Sequence, residues 1–550
     1  MKKSDSIFAG KAIYIFIGFA VLINFTGLFN TLMGPDATLY ASISKTMALN
    51  NDYVNLYYGT QDWLDKPHFP FWIAAVSFKI FGIHTWAYKL PAILFLMMGA
   101  RYTYLFARDL YNKTIGLWAV LILLTAQHIV LSDNDVKAEP YLTGLIIASV
   151  YHFYKSYRLK NNLHLLAASL FAGFAIMTKG MFALIPICGA VLGELIIKEK
   201  WKDLFQWRWL VALALIAICI LPEIYCLYQQ FDLHPEKTVF GKTNVSGIRF
   251  FFWDSQVGRF FNTGPIKGTG NPLFYLHTIL WAFLPWSILL FIAIITFIRK
   301  NFRFKYDHEW YCLSAALVTF ILFSASRFQL PHYLNIVFPF FAIIVAQYLY
   351  GTTVKQTIIR IRLIQNFVVF LLFSLLAFLQ IFYMPANGSW IFALLVLVTI
   401  ISFLLVVSKA AGIWQIVYKT SLASFCLNIY LNFAFYPSLA HYQAGSEAAF
   451  WINKSAENMP VYTTQWSSPY IFYLDRQFCS TDTSLRNINR KSFLLYLSDE
   501  QTKQLALNGR KIRILKVMDN YPITLLSMEF LNKTTRYKTV EKMDIVEVMQ

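Results

Sequence analysis

The chain has 550 residues, of which 57% are hydrophobic and only 14% are charged. Soluble domains are about 45–50% apolar and roughly 25% charged, so this composition excludes a disordered chain, a disulfide scaffold and an ordinary soluble enzyme. The net charge of +19 comes mostly from short basic clusters between apolar runs, which is typical of the positive-inside rule. We therefore expect a multi-pass membrane protein whose partners include membrane lipids but no nucleic acid.

About thirteen stretches of the chain are apolar and long enough to cross a bilayer, which takes roughly 20 residues. In chain order they cover 11–32, 86–107, 114–132, 139–157, 163–180, 182–198, 209–230, 272–298, 310–326, 333–350, 363–384, 389–408 and 414–438. The first stretch is too long for the apolar part of a signal peptide, and no small-residue cleavage site follows it. We therefore interpret it as an uncleaved anchor of an α-helical polytopic membrane protein.

The loops between these stretches alternate in charge. One set is basic and includes Lys11, Arg108, Lys113, Lys155, Arg158, Lys160, Lys198, Arg208, Arg299, Lys300, Lys355, Arg360 and Lys409. The positive-inside rule puts that set in the cytoplasm, together with the N-terminus. An odd number of spans then puts the chain from about residue 441 on the periplasmic or external side of a bacterial inner membrane.

Residues 441–550 differ from residues 1–440, because polar residues return and apolar runs become short. The runs PVYTT, SFLLYLS, KIRILKV and DIVEVM are typical of strands, and SEAAFWINKSAEN and SDEQTKQLAL between them are typical of helices. We therefore predict two domains: a transmembrane domain over 1–440 and a small soluble α/β domain over 441–550 on the external side.

The non-basic loops hold the residues that could do chemistry, and two of these loops are large, at about 33–85 and 231–271. Long structured loops in a compact fold tend to be functional. Asp36 directly follows the first span, where it is either a solvated helix cap or a site residue. The stretch TLYASISKTMALNN after it predicts a short amphipathic helix in the membrane interface, and Asp65 and Lys66 follow later in the loop.

The loop LSDNDVKAEPYL brings Asp133, Asp135, Lys137 and Glu139 to the junction of two spans. Charges this close to hydrocarbon are usually buried in protein or line a wet cavity. An ordinary hydrophilic turn would also contain such acids. The residues alone leave both interpretations open.

Cations are rare on this acid-leaning side, and five of them need an explanation: Lys66, Lys137, Lys179, Arg259 and Arg327. A phosphate ligand supplies one, because lysine and arginine are its natural protein partners. For Lys179 alone, snorkelling of the side chain to the membrane interface is the better interpretation. The sequence contains no soluble catalytic motif and no metal-ligand spacing of histidines. Acids and cations on one side indicate transfer of a group from a lipid-linked phosphate donor.

Six short stretches resemble the GT-C membrane glycosyltransferases, most closely the branch that holds the aminoarabinose (lipid A) transferases and the protein O-mannosyltransferases. They are GPDATLY, DWLDKPHFPFW, VKAEPYL, MTKG, NPLFYLHTILWAFLPW and SRFQLPHYLN, spread over about residues 34–340. The layout of thirteen spans and a soluble external tail is similar to that of the aminoarabinose branch. The last stretch also adds Tyr333 to the candidate site residues.

The resemblance implies an inverting transfer from a polyprenyl-phosphate sugar donor to an envelope acceptor, which is a lipid A-like glycolipid, a glycan or a protein. In that family the first-loop aspartate is the catalytic carboxylate, and Asp36 matches it. Lys66 matches the basic residue that contacts the lipid phosphate. Glu139 matches the acid that opens the fourth span, and we expect it to be a catalytic residue together with Asp36. We expect Lys137 or Arg259 to support Lys66, because preorganised charges stabilise a leaving group.

Two departures from the family pattern bear on specificity and on metal binding. The family often has glutamate and then arginine in the first motif, where this chain has Ala37 and Leu39, so the sugar or the acceptor can differ. Aminoarabinose transferases carry a metal site that uses the acid before the lysine and a histidine of the large outer loop. Asp65 could replace that acid, but no histidine lies between His234 and His277. We therefore expect that no metal cofactor is required.

A transporter or flippase of a lipid-linked or anionic envelope substrate is the alternative function. Transporters usually contain inverted repeats and broken helices near the middle of the membrane. This sequence shows no internal repeat, and its charged groups collect at one side of the membrane. These features favour the glycosyltransferase.

Overall fold

The computed structural model describes residues 3–301, 306–455, 459–482, 484–485, 488 and 490–549. The predicted fold, a helical membrane protein with a small C-terminal sheet domain, is confirmed. The end of the predicted helix over 446–458 lies outside the described residues.

The helices of the membrane region follow one another with short connections, apart from two long loops. They are α1 (Lys3–Thr26), α2 (Pro35–Asn50), α3 (Phe69–Phe81), α4 (Thr85–Leu110), α5 (Lys113–Thr125), α6 (Gln127–Asn134), α7 (Glu139–Leu159), α8 (Asn162–Lys179), α9 (Leu184–Ile197), α10 (Trp201–Leu204) and α11 (Trp207–Cys219). They continue as α12 (Leu221–Leu227), α13 (Gly247–Arg249), α14 (Arg259–Phe261), α15 (Phe274–Ala282), α16 (Ser287–Asn301), α17 (Tyr311–Ala325), α18 (Phe338–Gly351), α19 (Lys355–Phe378), α20 (Gly388–Ser402), α21 (Gly412–Tyr430) and α22 (Tyr436–Ala440). Short 3₁₀ or π turns extend several of them.

Each of the predicted spans coincides with a helix or a pair of helices, but their lengths differ. Within the described residues, six helical segments are long and apolar enough to cross a membrane, or up to eight if each bent pair is one span. The bent pairs are α5 with α6, at 54°, and α15 with α16, at 118°. Pro285 lies in the second break, where it lacks the N–H that a continuing helix needs. The count of thirteen spans therefore stays a prediction.

The centre of the bundle is α7, which is buried along most of its length between α4 and α8. The backbones of α4 and α7 meet at Gly99 and Gly144. A side chain at Gly144 would collide with the carbonyl oxygen of Phe95, so only glycine allows this approach. The packing fixes Glu139, the first residue of α7, at the end of the bundle that carries the C-terminal domain. We call that end the tail-side end.

The first large loop contains α2, a short hairpin of β1 (Tyr57–Tyr58) and β2 (Gln61–Asp62), and α3. The C-terminal domain follows with α23 (Ala444–Lys454), β3 (Val461–Thr463), α24 (Ser468–Tyr473), β4 (Phe478–Ser480), β5 (Ser492–Ser498), α25 (Asp499–Leu507), β6 (Lys511–Asn520), α26 (Met528–Leu531) and β7 (Glu541–Met549). Its sheet has the order β4-β3-β5-β7-β6. β3 runs parallel to β4 and β5, and β7 is antiparallel to β5 and β6.

The C-terminal domain rests on the first large loop. The Lys45 amino group of α2 donates to the carbonyls of Phe472, at 2.8 Å, and Leu474, at 2.7 Å. The Leu32 N–H donates to the Tyr473 hydroxyl at 2.7 Å. The small buried residues of α2 pack against α3 and α24, and its position in the membrane interface stays a prediction.

Candidate active site

Two adjoining cavities lie at the tail-side end of the bundle. The polar cavity is lined by Asp36, Tyr40, Asp65, Lys66, Lys137, Ala138, Glu139, Lys179, Arg259, Ile266, Phe328, Leu330, His332 and Tyr333. The apolar cavity is lined mainly by aliphatic and aromatic side chains, among them Leu64, Leu142, Phe182, Leu227, Phe250, Phe251, Leu322 and Phe323. Both cavities share Asp65, Lys66, Lys179, Arg259, Phe328 and Tyr333. A charged wall thus separates a polar chamber from an apolar one.

Asp36 stands at the entrance of the polar cavity, at the second position of α2. Pro35 occupies the first position, where its missing N–H has no cost. Gly34 before it has φ +80, a backbone conformation that favours glycine. The Asp36 side chain is 49% exposed, so solvent can reach its carboxylate.

Lys137 joins two carboxylates into a cluster that we call the acidic triad. Its amino group lies 3.4 Å from Asp36 Oδ2 and 3.2 Å from Asp135 Oδ2. Burial raises the pKa of Asp135. Burial alone would lower the pKa of Lys137, but the charges of Asp135, Asp36 and Glu139 outweigh it and raise that pKa. Lys137 therefore stays charged, and two acids share one cation.

Asp65 joins two cations into a second cluster, the cationic triad. One carboxylate oxygen contacts the Lys66 amino group and the other contacts the Arg259 guanidinium. Both cations are nearly buried, with 12% and 10% of their side chains exposed. Burial lowers the pKa of Lys66 and of Arg259. Because two cations share one acid here, the cluster has a net positive charge that can attract an anion.

Lys179 and Glu139 form an ion pair that lines the polar cavity and belongs to neither triad. Glu139 is only 2% exposed, and its carboxylate contacts the amino group of Lys179, the last residue of α8. The same amino group lies 3.6 Å from the centroid of the Tyr333 ring. His332 Nε2 lies 3.8 Å from Glu139 Oε1. Lys179 therefore points into the protein, and the prediction that it snorkels to the interface is wrong.

Three predicted site residues line neither cavity: Asp133, Asp135 and Arg327. The Asp133 side chain is fully buried and lines neither cavity, and its carboxylate oxygens have no hydrogen-bond partner among the described residues. Arg327 is exposed and lines neither cavity, although its neighbours Ser326 and Phe328 line the apolar one. Asp135 belongs to the site only through Lys137.

Sequence reasoning missed a buried pair that anchors the Lys66 segment. The Glu223 carboxylate accepts from the His68 N–H at 2.9 Å and lies 3.0 Å from His68 Nδ1, while Nε2 lies 2.9 Å from the Val54 carbonyl. That carbonyl can only accept, so Nε2 is the donor to Val54, and Glu223 holds the other side of the ring through Nδ1. The signal was available, because a glutamate inside an apolar stretch is rare without a role.

The family resemblance implies a divalent metal at Asp65, and the residues present do not fit one. Both oxygens of the Asp65 carboxylate are already occupied by Lys66 and Arg259. In the part of the chain that the structure describes, no group of three or more His, Cys, Asp or Glu side chains could hold a metal ion. Arg259, from the second large loop, contacts Asp65 of the first large loop directly.

Known proteins are similar to this chain in sequence. The family described as dolichyl-phosphate-mannose-protein mannosyltransferase matches residues 65–225. An undecaprenyl phosphate-alpha-4-amino-4-deoxy-L-arabinose arabinosyl transferase of Edwardsiella ictaluri is 29% identical over 331 residues, which cover 58% of this chain and 56% of that protein. A Pseudomonas aeruginosa protein of the same name is 25% identical over 308 residues, which cover 54% and 52%. The chain thus spans about half the length of these curated relatives.

Solved structures share the fold over nearly the whole chain. The crystal structure of ArnT from Cupriavidus metallidurans bound to undecaprenyl phosphate has a TM-score of 0.73 at 18% identity and covers 97% of both chains. The apo structure of the same protein has a TM-score of 0.71 at 19% identity and covers 98% of both. The ArnT-like GT-C fold predicted by resemblance is therefore confirmed.

Proposed function

We propose that this membrane protein is an inverting glycosyltransferase that moves a sugar from a polyprenyl-phosphate donor to an envelope acceptor at its tail-side end. One observation carries the proposal: a charged wall of Lys66, Lys179 and Arg259 separates an apolar cavity from a polar one. A lipid-linked sugar has the same three-part order, with an apolar chain, an anionic phosphate and a polar sugar. The similarity to the aminoarabinose transferases supports the same class of donor.

The cationic triad is the proposed phosphate site. Its spare positive charge matches the phosphate, and the nearly buried cations interact more strongly than they would in water. The prenyl chain would then lie in the apolar cavity, against side chains such as Phe250 and Phe323. The sugar would lie in the polar cavity, between the cationic triad and Asp36.

In the proposed reaction the acceptor oxygen attacks the anomeric carbon from the side opposite the phosphate. The new carbon–oxygen bond forms while the bond to the phosphate oxygen breaks, and the electron pair leaves with the polyprenyl phosphate. Lys66 and Arg259 stabilise that leaving charge. Asp36 takes the proton if the acceptor is a hydroxyl. If the acceptor is a phosphate it is already ionised, and Asp36 orients it.

We further propose that no divalent metal is required. We also propose that Glu139, expected to be catalytic, acts by orienting Lys179. Asp65 is committed to two side-chain cations, which provide the positive charge that a metal would supply. Glu139 contacts Lys179 and thereby fixes that cation beside Tyr333. Activity should be unchanged by chelators such as EDTA. Loss of activity on chelation that added Zn²⁺ or Mg²⁺ restores would contradict the metal-free reaction.

The topology is also a proposal: a cytoplasmic N-terminus and a tail-side end facing the periplasm or the exterior. It rests on the basic loops and the positive-inside rule. A reporter fused after residue 442 should be active only outside the cytoplasm, and one fused after residue 307 only inside it. The same sidedness for both fusions would overturn this topology.

Purified protein and a radiolabelled polyprenyl-phosphate sugar test the reaction itself. The enzyme should release polyprenyl phosphate and transfer the label to an envelope glycolipid, glycan or protein extract. A flippase would instead move the intact lipid across a vesicle membrane without cleaving it. Movement without cleavage would establish the transporter and overturn the glycosyltransferase.

A further inference from the structure

The chain between β6 and β7 leaves the sheet and returns to the membrane region. The Lys533 N–H donates to the Phe382 carbonyl at 3.0 Å, and the Arg536 guanidinium donates to the Tyr383 carbonyl at 2.7 Å. The Arg536 guanidinium carbon lies 4.1 Å from the centroid of the Tyr383 ring. Phe382 and Tyr383 end the long apolar segment Lys355–Tyr383. The returning chain is therefore held at the level where that segment ends.

The same returning chain exposes a row of apolar side chains, which we call the apolar tip: Leu525, Leu526 and Met528. Their exposures are 74%, 39% and 66%. The tip is held by a buried stack in which the rings of Tyr521 and Phe530 lie 3.8 Å apart at 12°. The buried stack thus fixes a segment whose three apolar side chains are open to the surroundings.

The neighbouring surface of the bundle indicates what covers the tip. At the end of the Lys355–Tyr383 segment, Ile381, Phe382 and Met384 are 67%, 45% and 50% exposed, as expected of side chains that face lipid. Tyr537, 70% exposed, and the exposed Lys538 follow the tip in the chain. Tyrosine and lysine beside an apolar patch are typical of the interface between acyl chains and headgroups.

We propose that the apolar tip inserts into the acyl region of the tail-side leaflet. The C-terminal domain is then anchored in the bilayer as well as on the bundle. The tip is also tied to the active site, because Thr524 packs against Gly34, two residues before Asp36. The residue that precedes the tip is therefore close to the segment that carries Asp36. This inference concerns membrane contact and does not depend on the proposed reaction.

A fluorescent probe tests the insertion in the full chain reconstituted into nanodiscs. Cys188, Cys219 and Cys479 are first replaced by serine, because the structure exposes them at least partly. An environment-sensitive NBD group is then attached at Leu525→Cys. The matched control is Leu507→Cys, since Leu507 is 86% exposed in the same domain but lies at the end of α25, away from the tip.

We expect a blue-shifted NBD emission at position 525 that lipids with a quencher on the acyl chain reduce several-fold, and water-like unquenched emission at position 507. Water-like emission at both positions would overturn the proposal. A blue shift without quenching would also overturn it, since protein rather than lipid would then cover the tip. If the Leu525→Cys variant does not fold, Met528→Cys carries the same measurement.

Discussion

The acidic triad and the cationic triad at the polar cavity have opposite net charges. In the acidic triad, Asp36 and Asp135 share one lysine, whereas in the cationic triad Lys66 and Arg259 share Asp65. The excess charge is thus negative near the entrance and positive on the wall toward the apolar cavity. This difference orients a substrate: an anionic group is attracted to the buried wall, and a proton donor is attracted to the entrance.

The triads also differ in their exposure to water. Asp36 is half-exposed, while the side chains of Lys66 and Arg259 are nearly buried. Charges act more strongly where water is excluded, so the cationic triad is suited to hold a phosphate. An accessible carboxylate is suited to meet an acceptor that arrives from the membrane surface or from solution.

Asp36→Asn removes the proton acceptor of the acidic triad and should have the largest effect. For a hydroxyl acceptor, we expect turnover to fall at least about 10²-fold. Donor binding should survive, because the cationic triad is intact. Turnover of the labelled donor and its binding at equilibrium are measured separately. The matched control is Asp475→Asn, since Asp475 is exposed and lines neither cavity. Wild-type turnover in a folded Asp36→Asn protein would remove this residue from the chemistry.

Lys66→Ala tests the cationic triad. Its expected effect is smaller than that of Asp36→Asn and concerns donor affinity. Loss of one charged contact is worth about 1.5–3 kcal/mol, so we expect donor affinity to fall about 10- to 100-fold. Turnover should fall with it, because the leaving phosphate carries charge throughout the reaction. Lys79→Ala is the control, as Lys79 is exposed on α3 of the same loop. Unchanged donor affinity would show that the phosphate lies elsewhere.

The pH dependence of activity distinguishes the effect of the Lys66 charge from the effect of the position of its side chain. Burial lowers the pKa of Lys66, so its charge is lost at a lower pH than that of an ordinary lysine. As pH rises through that pKa, kcat/KM should fall. In Lys66→Arg the guanidinium stays protonated, so the alkaline limb should move to higher pH even if the maximum is lower. An unmoved limb in Lys66→Arg would assign the pH dependence to another group.

Arg327→Ala should have the smallest effect of the series. Arg327 is an exposed cation outside both triads and both cavities, and surface changes usually stay within about 0.5 kcal/mol. Donor affinity and turnover should remain within about two- to three-fold of wild type, as that energy implies. A loss as large as that of Lys66→Ala would extend the anion site beyond the cationic triad.

Local signals made much of this architecture predictable. The length of the apolar stretches predicts the helices, and the short apolar runs of the C-terminal domain predict β3, β5, β6 and β7. Both patterns depend only on residues that are close in the sequence. The strand β4 (Phe478–Ser480) and the helix α24 were missed, since so short an element is set by what it packs against. The packing of α2 against α24 was not predicted either, because it also depends on tertiary contacts.

The sequence predicted residues that line the site, but not which of these residues contact one another. Motif order selected Asp36, Lys66 and Glu139, which line one cavity. It could not show that Arg259 meets Asp65, a contact across 194 positions of the chain. It could not separate Arg327 from the cavity either, because the direction of a side chain in an irregular loop depends on tertiary packing.

Glu223 links the lipid-chain end of the site to the phosphate end. Its side chain lines the apolar cavity while its carboxylate holds His68, two positions after Lys66. If the donor binds as proposed, a full-length isoprenoid in that cavity would pack against the residues that position Lys66. Remote isoprene units would then contribute to the rate and not only to retention of the donor. Shortened donors should show a lower kcat as well as a higher KM, and equal kcat values for long and short chains would show that the two ends act independently.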